Sequence, residues 1–138
     1  PAKRKLFEGQ KYPGLNAMNE ITDFIIQLTE KMGAHGVFNI PEYFHDAVLF
    51  QKKFKFIDPE KEGIFRSLLE EFRRFNLRDL SQLIHNEGIK NERTGGIYAW
   101  NYGEMIAPLD EYIKKRIFDK EYFERVAKAK ANFKFSKI

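Results

Sequence analysis

Histidine is the residue type best suited to acid–base or metal chemistry, and the three histidines of this chain are spaced for neither. His35 falls in a glycine-containing turn at 33–36, while His45 and His85 fall on predicted helices. A zinc-binding helix presents two histidines four residues apart, as in H-E-x-x-H, and the sequence has no such pair. The chain also lacks cysteine, which excludes thiolate metal sites, cysteine nucleophiles and disulfides. We therefore predict no bound metal and no cofactor.

The motifs of serine and nucleotide hydrolysis are also missing. A serine nucleophile sits on a strained turn such as G-x-S-x-G, and none surrounds Ser67, Ser81 or Ser136. Gly95 and Gly96 lack the Lys-Ser/Thr continuation of a phosphate-binding loop. No catalytic residue is assigned, and we expect a binding protein rather than an enzyme.

Two acidic clusters leave a metal-dependent nuclease as an alternative, because carboxylates hold Mg²⁺ in such enzymes. The clusters are Asp58, Glu60, Lys61 and Glu62, and the adjacent pair Glu70 and Glu71. The first is also explained as the acidic first turn of a capped helix. The second alternates with Arg73 and Arg74 as a solvent-exposed helix face would.

Positive charge is concentrated at the C-terminal end. Residues 1–113 hold 15 Lys and Arg against 17 Asp and Glu, a net charge of −2, while residues 114–138 hold 9 against 3, a net charge of +6. A second basic cluster, 3–5, opens the chain. Lys and Arg bind nucleic acid by releasing the counterions condensed on its phosphates. The pattern fits a nucleic-acid partner, and the alternatives are a solubilising basic face and binding to a membrane or an acidic protein surface.

The segment 90–102 supplies the remaining candidate contacts, because a basic glycine-containing loop can approach phosphates and aromatic rings can stack on bases. Tyr98 and Trp100 are alternatively core residues, and Glu87 and Glu92 would repel phosphate. The predicted nucleic-acid-binding residues are Lys90, Arg93, Tyr98, Tyr102, Arg73, Arg74, Arg78, Lys114, Lys115, Lys128 and Lys130.

Residues 75–108 resemble phage-type DNA-binding modules. Cro-type helix-turn-helix repressors end their recognition helix with an apolar residue, a Trp, a polar pair and Gly, an order matched by Ile97, Trp100, Gly103 and Glu104. The run Arg-Thr-Gly-Gly-Ile-Tyr-Ala at 93–99, with Phe75 and Leu77 upstream, resembles part of the KilA-N module. The resemblance implies a DNA-binding regulator of phage or mobile-element type.

Apolar periodicity predicts six short helices that must position these residues. They cover 16–32, with one apolar stripe through Ile21, Ile25 and Leu28; a segment from Asn39; a helix capped by Asp58; 76–86; a helix that begins at Pro108; and one capped by Asp119. Residues 97–102 fit either a strand or a helical turn. We expect a mostly α, compact helical bundle with a glycine-containing loop or small hairpin near 90–102.

The length of 138 residues predicts one domain. We expect a basic arm at 1–12, a globular domain at 13–124 and a basic tail at 125–138. No apolar run is long enough to span a membrane and no signal peptide opens the chain, so a cytoplasmic location is expected. The 14 Phe residues, among them Phe54 and Phe56 outside the helical stripes, indicate an alternative role as a structural or adaptor subunit with a protein partner or as a homo-oligomer.

Overall fold

The computed structural model describes residues 15–138, with side chains from residue 19 onward. It contains six helices and five short strands within that range: α1 Leu15–Lys31, β1 Gly36–Asn39, α2 Phe44–Phe50, β2 Lys55–Phe56, α3 Pro59–Glu71, α4 Leu77–His85, β3 Ile89–Asn91, β4 Met105–Pro108, α5 Glu111–Ile117, α6 Lys120–Asn132 and β5 Phe135–Lys137. The predicted arm at 1–12 lies outside the described residues.

Four of the helices, α3 to α6, begin where the sequence supplies a capping side chain. Asp58, Asn76 and Asp119 each accept a hydrogen bond from a backbone N–H in the first turn of α3, α4 and α6. Pro59 supports the start of α3, since its missing N–H needs no partner there. Gly33 follows α1 with a φ of 80°, a conformation that favours glycine. The prediction of a mostly α chain with six helices is confirmed.

The strands make the fold mixed rather than a purely helical bundle. β4 lies between β1 and β2 in an antiparallel sheet, and β3 pairs with β5 in a separate antiparallel ribbon. Each strand is two to four residues long, which is too short to show the alternation that identifies strands in a sequence. The expectation that Pro108 begins a helix is wrong: Pro108 ends β4, and Asp110 caps α5.

The core forms where α2, α3, α4, the three-stranded sheet and the C-terminal strand meet. Its largest fully buried side chains include Phe44, Phe56, Phe65 and Phe135. Phe54 and Phe56, expected as interface residues, are only 3% and 0% exposed, so they contribute to the core instead. Burial of these rings supplies much of the hydrophobic stabilisation available to a chain of this size.

The C-terminal segment belongs to the folded domain and is not a tail. Residues 125–132 complete α6, in which Val126 and Ala129 are buried against α3. Phe135 of β5 is 1% exposed, and Ser67 Oγ of α3 donates a hydrogen bond to the carbonyl oxygen of Phe133. Lysines stand between these buried positions, and their charge dominates the composition of the segment. The apolar pattern of a packed helix and strand is therefore hard to detect there. Within the described part of the chain, no helix combines the length and apolarity needed to cross a membrane.

Candidate nucleic-acid interface

Pairing of β3 with β5 brings the 90–96 loop beside the C-terminal segment. Lys90 pairs with Ser136 and Asn91 with Phe135 in an antiparallel register. The backbone N–H of Glu92 extends this pairing with a 2.8 Å hydrogen bond to the carbonyl oxygen of Lys134. Because side chains alternate between the faces of a strand, Lys90, Glu92 and Lys134 share the face opposite the buried ring of Phe135. Two basic segments distant in sequence therefore meet here.

A tight turn between Asn91 and Gly96 shapes the loop. The Asn91 side chain accepts a hydrogen bond from the Arg93 N–H at 3.0 Å, as Asn commonly does two residues ahead in a turn. The Gly95 N–H donates to the Asn91 carbonyl oxygen at 2.8 Å, and Gly95 has a φ of 74°. Glycine suits that conformation because a Cβ is disfavoured there. The turn thus fixes the backbone on which Arg93 stands.

Arg93 links the loop to the end of α6. One of its guanidinium nitrogens donates a 3.2 Å hydrogen bond to the carbonyl oxygen of Ala131 in the last turn of that helix. Carbonyls in the last turn lack intrahelical partners and carry the negative end of the helix dipole. Arg93 therefore has a structural role, yet its side chain stays exposed and other donors of the guanidinium remain for a phosphate.

Glu70 gathers three cations on the neighbouring side of α6. Lys130 forms a salt bridge with Glu70, and this hydrogen bond, together with the charges of Lys130, Arg73 and Lys134, lowers the pKa of Glu70. A shallow groove between α3 and α6 is lined by Glu70, Glu71, Lys130 and Lys134. Glu70 is thus a charged acid that partly neutralises the surrounding bases.

We name this surface the basic cap and define it by Arg73, Lys90, Arg93, Lys130 and Lys134. Three acids lie within or beside it: Glu70 and Glu71 in the groove, and Glu92 on the ribbon. Five bases against three acids leave an excess of two positive charges. Four of the five bases are residues that the sequence predicted. Pairing of β3 with β5 brings Lys90 and Arg93 to the C-terminal segment, and packing of α3 on α6 brings Arg73 to Lys130.

Several predicted residues lie elsewhere on the molecule. Arg78 lies in the first turn of α4 beside Asp79, with 3.9 Å between Arg78 Nε and the carboxylate. Lys114 and Lys115 occupy the last turn of α5, which packs on β4. The remaining three are exposed: Arg74 after α3, Lys128 in a separate groove of α6, and Tyr102 in the loop before β4.

Tyr98 is not free to stack on a base, contrary to its predicted role. Its ring packs edge-on against Phe135 with centroids 5.1 Å apart, and burial raises the pKa of its hydroxyl. Trp100 likewise contacts the rings of Phe44 and Phe65, and its indole N–H donates to the Glu42 carbonyl oxygen at 3.0 Å. The core alternative is correct for both residues, because they cover the apolar interior behind the ribbon.

The segment 97–104 contains no helix, although a Cro-type arrangement requires its recognition helix there. Ile97 forms a single antiparallel bridge with Lys90, and the Tyr98 N–H donates to the Ile89 carbonyl oxygen at 2.8 Å. The segment is extended along β3 and then leads to β4. Apart from this single bridge at Ile97, the segment forms neither the helix nor the strand that the sequence left open.

The acids that suggested a nuclease have structural partners. Asp58 caps α3, and buried Glu62 accepts hydrogen bonds from the Phe56 N–H at 3.0 Å and from Arg66 Nε at 2.7 Å.

Buried His45 bonds through Nδ1 to Ser81 Oγ at 2.8 Å, inside the protein where a substrate has no access. Over residues 15–138 no three His, Asp or Glu side chains are grouped so as to hold a metal ion.

Lys134 is the cap residue that the predicted site set omitted. The segment 133–138 reads Phe-Lys-Phe-Ser-Lys-Ile, in which apolar and polar residues alternate at 133–136. Such alternation is the signal of a half-buried strand, and it places Lys134 on the solvent side. The alternation spans only four residues, so the high lysine content of the segment led to the prediction of a tail instead of a strand.

Comparisons of this chain with models of protein families, with curated proteins and with solved structures find no match.

Proposed function

We propose that this chain is a small non-enzymatic module that binds the phosphate backbone of nucleic acid through the basic cap. The observation that carries the proposal is the pairing of β3 with β5, which places Lys90 and Arg93 beside Lys130 and Lys134. A phosphate backbone presents closely spaced negative charges, and a group of cations on a rigid scaffold matches them without reading sequence.

The cap favours phosphate contacts over base stacking. Its exposed side chains are Lys and Arg, whereas Tyr98 and Trp100 are half-buried and pack against the core. The turn at 91–96 carries Gly95 and Gly96, whose lack of side chains allows a close approach of backbone to backbone. The resemblance of 93–99 to the KilA-N module is in keeping with this use of the loop.

Salt dependence of binding tests the proposal. Fluorescence anisotropy of a labelled DNA duplex would give the dissociation constant between about 50 and 200 mM salt. If all five cap residues contact phosphates, the slope of the logarithm of the association constant against log salt approaches about −4.5. Binding that ignores salt would contradict phosphate contact.

A charge-matched pair of variants locates the contact. The double substitution Lys90→Glu and Lys134→Glu removes two cap cations, and we expect it to reduce the slope by about two and to abolish binding at the higher salt. The control, Lys114→Glu with Lys115→Glu, makes the same charge change on α5. Equal losses from both pairs would show that net charge, and not the cap, governs binding.

A second candidate function, that of a protein-interaction subunit, is favoured by a different observation. Helix α1 exposes large apolar side chains on one face, among them Phe24 and Met32. Exposed apolar patches of this kind mark protein interaction sites more often than nucleic-acid sites.

A further inference from the structure

Helix α1 carries an exposed apolar face. Five side chains, between 43% and 75% exposed, recur at helical spacing along it: Ile21, Phe24, Ile25, Leu28 and Met32. We call these five the α1 stripe. A helix that packs on a protein core ordinarily buries its apolar stripe. The α1 stripe is instead exposed, so it does not serve to pack α1 on its own chain.

The body of the protein contacts α1 along a different side. Ile26 packs against the core cluster, and Thr22 and Thr29 are half-buried beside it. At 100° per residue, Ile26 lies roughly 150° around the helix axis from the centre of the α1 stripe. The stripe is therefore clear of the surface that holds α1 in place and can accept a partner.

Charge around the stripe argues against a membrane or nucleic acid as that partner. The exposed charged side chains of α1 from residue 19 onward are Glu20, Asp23, Glu30 and Lys31, a net charge of −2. A helix that inserts into an anionic membrane surface carries Lys and Arg on its polar face. The acidic flank of α1 would be repelled by phosphates of either kind, so a protein surface fits best.

The positions along α1 are self-complementary for antiparallel pairing. Ile21 and Met32 lie equally far from a centre between residues 26 and 27, as do Ile25 and Leu28. A two-fold axis through that centre would pack Ile21 of one copy on Met32 of the other. Glu20 and Lys31 lie on the same edge of the stripe, and the same axis brings Glu20 of one copy within about 3 Å of the level of Lys31 of the other.

We propose that two copies of this chain associate through antiparallel packing of their α1 stripes, with Glu20 and Lys31 paired across the interface. The stripe offers on the order of 500 Å² of apolar surface per copy. The pair can therefore bury about 1,000 Å², which reaches the lower limit for a specific interface. Exposed Phe38 on edge strand β1, and Ile40 just after it, add apolar surface next to α1.

Sedimentation velocity over a range of protein concentrations tests association. The expected mass rises from that of one 16.4 kDa chain to twice that value. Leu28→Asp places a charge in the stripe of both copies and is expected to weaken association by at least about thirtyfold. Gln82→Asp adds the same charge on the exposed side of α4, away from the stripe, and leaves association unchanged. Because both positions are exposed, circular dichroism should show both variants folded.

Charge exchange tests the pairing of Glu20 with Lys31. Glu20→Lys or Lys31→Glu alone weakens association by about two- to thirtyfold, since each dimer contains two such pairs. Both changes in one chain restore it. Asp23→Lys, on the side of α1 away from the stripe, matches the charge change of Glu20→Lys and does not weaken association.

Disulfide trapping tests the antiparallel direction. The chain has no native cysteine, so any disulfide must form between the introduced cysteines. Under an added oxidant, a mixture of Ile21→Cys and Met32→Cys chains is expected to form a mixed disulfide dimer. Ile21→Cys alone should not, because its two copies lie about 16 Å apart along the pair. A chain that stays monomeric at all concentrations, association weakened equally by Gln82→Asp, or efficient trapping of Ile21→Cys alone would each overturn the proposal.

Discussion

Gly63 of α3 lies against Ala129 of α6 with no room for a side chain. A Cβ at position 63 would stand 2.6 Å from the Ala129 Cβ and 2.6 Å from the carbonyl oxygen of Val126. Both distances are well below van der Waals contact, and the second involves backbone that cannot rotate away. This contact sets the spacing of α3 and α6, the two helices that carry Glu70 and Lys130 of the groove in the basic cap.

Gly63→Ala is therefore expected to destabilise the protein, although alanine favours helix by about 1 kcal/mol over glycine. Overpacking of a close helix contact costs about 1–3 kcal/mol, and the backbone contact places this site at the upper end of that range. Thermal unfolding should show Tm lowered by roughly 3–8 °C. Gly96→Ala is the control, because its Cβ would meet only the Thr94 hydroxyl at 3.4 Å. A Gly63→Ala protein as stable as the wild type would contradict the close contact.

Asp119 begins α6 by accepting a hydrogen bond from the Tyr122 N–H at 2.8 Å. Asp119→Ala leaves that N–H without its partner, so we expect the free energy of unfolding to fall by about 1 kcal/mol. Asp119→Asn keeps an acceptor and should lose only a fraction of this. Urea unfolding followed by circular dichroism measures both, and equal losses from the two variants would show that the negative charge matters more than the cap.

Sequence patterns predicted the elements whose determinants are local. The Asp58-Pro59 start and the apolar spacing that follows identify α3, and Asn76 identifies the start of α4. The pairing of β3 with β5 depends instead on contacts between residues more than 40 positions apart, which no short window contains. The basic cap depends on that pairing, so its members could be recognised as basic but not as neighbours.

Side-chain type also fails to distinguish a buried role from a binding role. Tyr98 has the amphipathic ring that suits base stacking, and the same ring suits the boundary of a core, where it packs on Phe135. The α1 stripe is an apolar pattern that is exposed and not buried. Its spacing predicts a helix but does not determine which side of the helix faces the rest of the protein. Leu28 and Met32 satisfy a core pattern and yet are exposed.

Trp100 provides a direct test of the core assignment, since it contacts three buried rings, those of Phe44, Phe56 and Phe65. Trp100→Ala should lower the free energy of unfolding by about 2–4 kcal/mol, while Trp100→Phe retains most of the packing and costs about 1 kcal/mol. Anisotropy with a labelled duplex should give Trp100→Phe the wild-type affinity. A folded Trp100→Phe protein with strongly reduced affinity would indicate that the indole stacks on a base.

Removing the acid at the centre of the groove should strengthen binding. Glu70→Gln frees Lys130 from its salt bridge and adds one net positive charge to the basic cap. We expect affinity for a duplex to rise several-fold at low salt and the slope of log K against log salt to steepen by up to about one. Glu111→Gln, an equal charge change in the first turn of α5, is the control. Unchanged affinity of Glu70→Gln would place the phosphates away from Lys130.

The lowered pKa of Glu70 predicts that the stability of the protein depends on pH. The hydrogen bond from Lys130 lowers the pKa of Glu70 from its ordinary value of 4.5, so the folded state favours the charged form. Its contribution to stability is present above pH 4.5 and is lost as the pH falls through the lowered pKa. The difference in Tm between wild type and Glu70→Gln should accordingly shrink below pH 4.5. A difference that grows in acid would contradict the salt bridge.

The central claim is that two segments distant in sequence form one phosphate-binding surface. Titration of the ¹⁵N-labelled protein with a short duplex, followed by two-dimensional NMR, measures this most directly. We predict that backbone amides at 90–96 and 130–137 shift together along one binding curve, while those of α1 and α5 remain in place. Shifts confined to one of the two segments, or centred on α5, would contradict a shared surface.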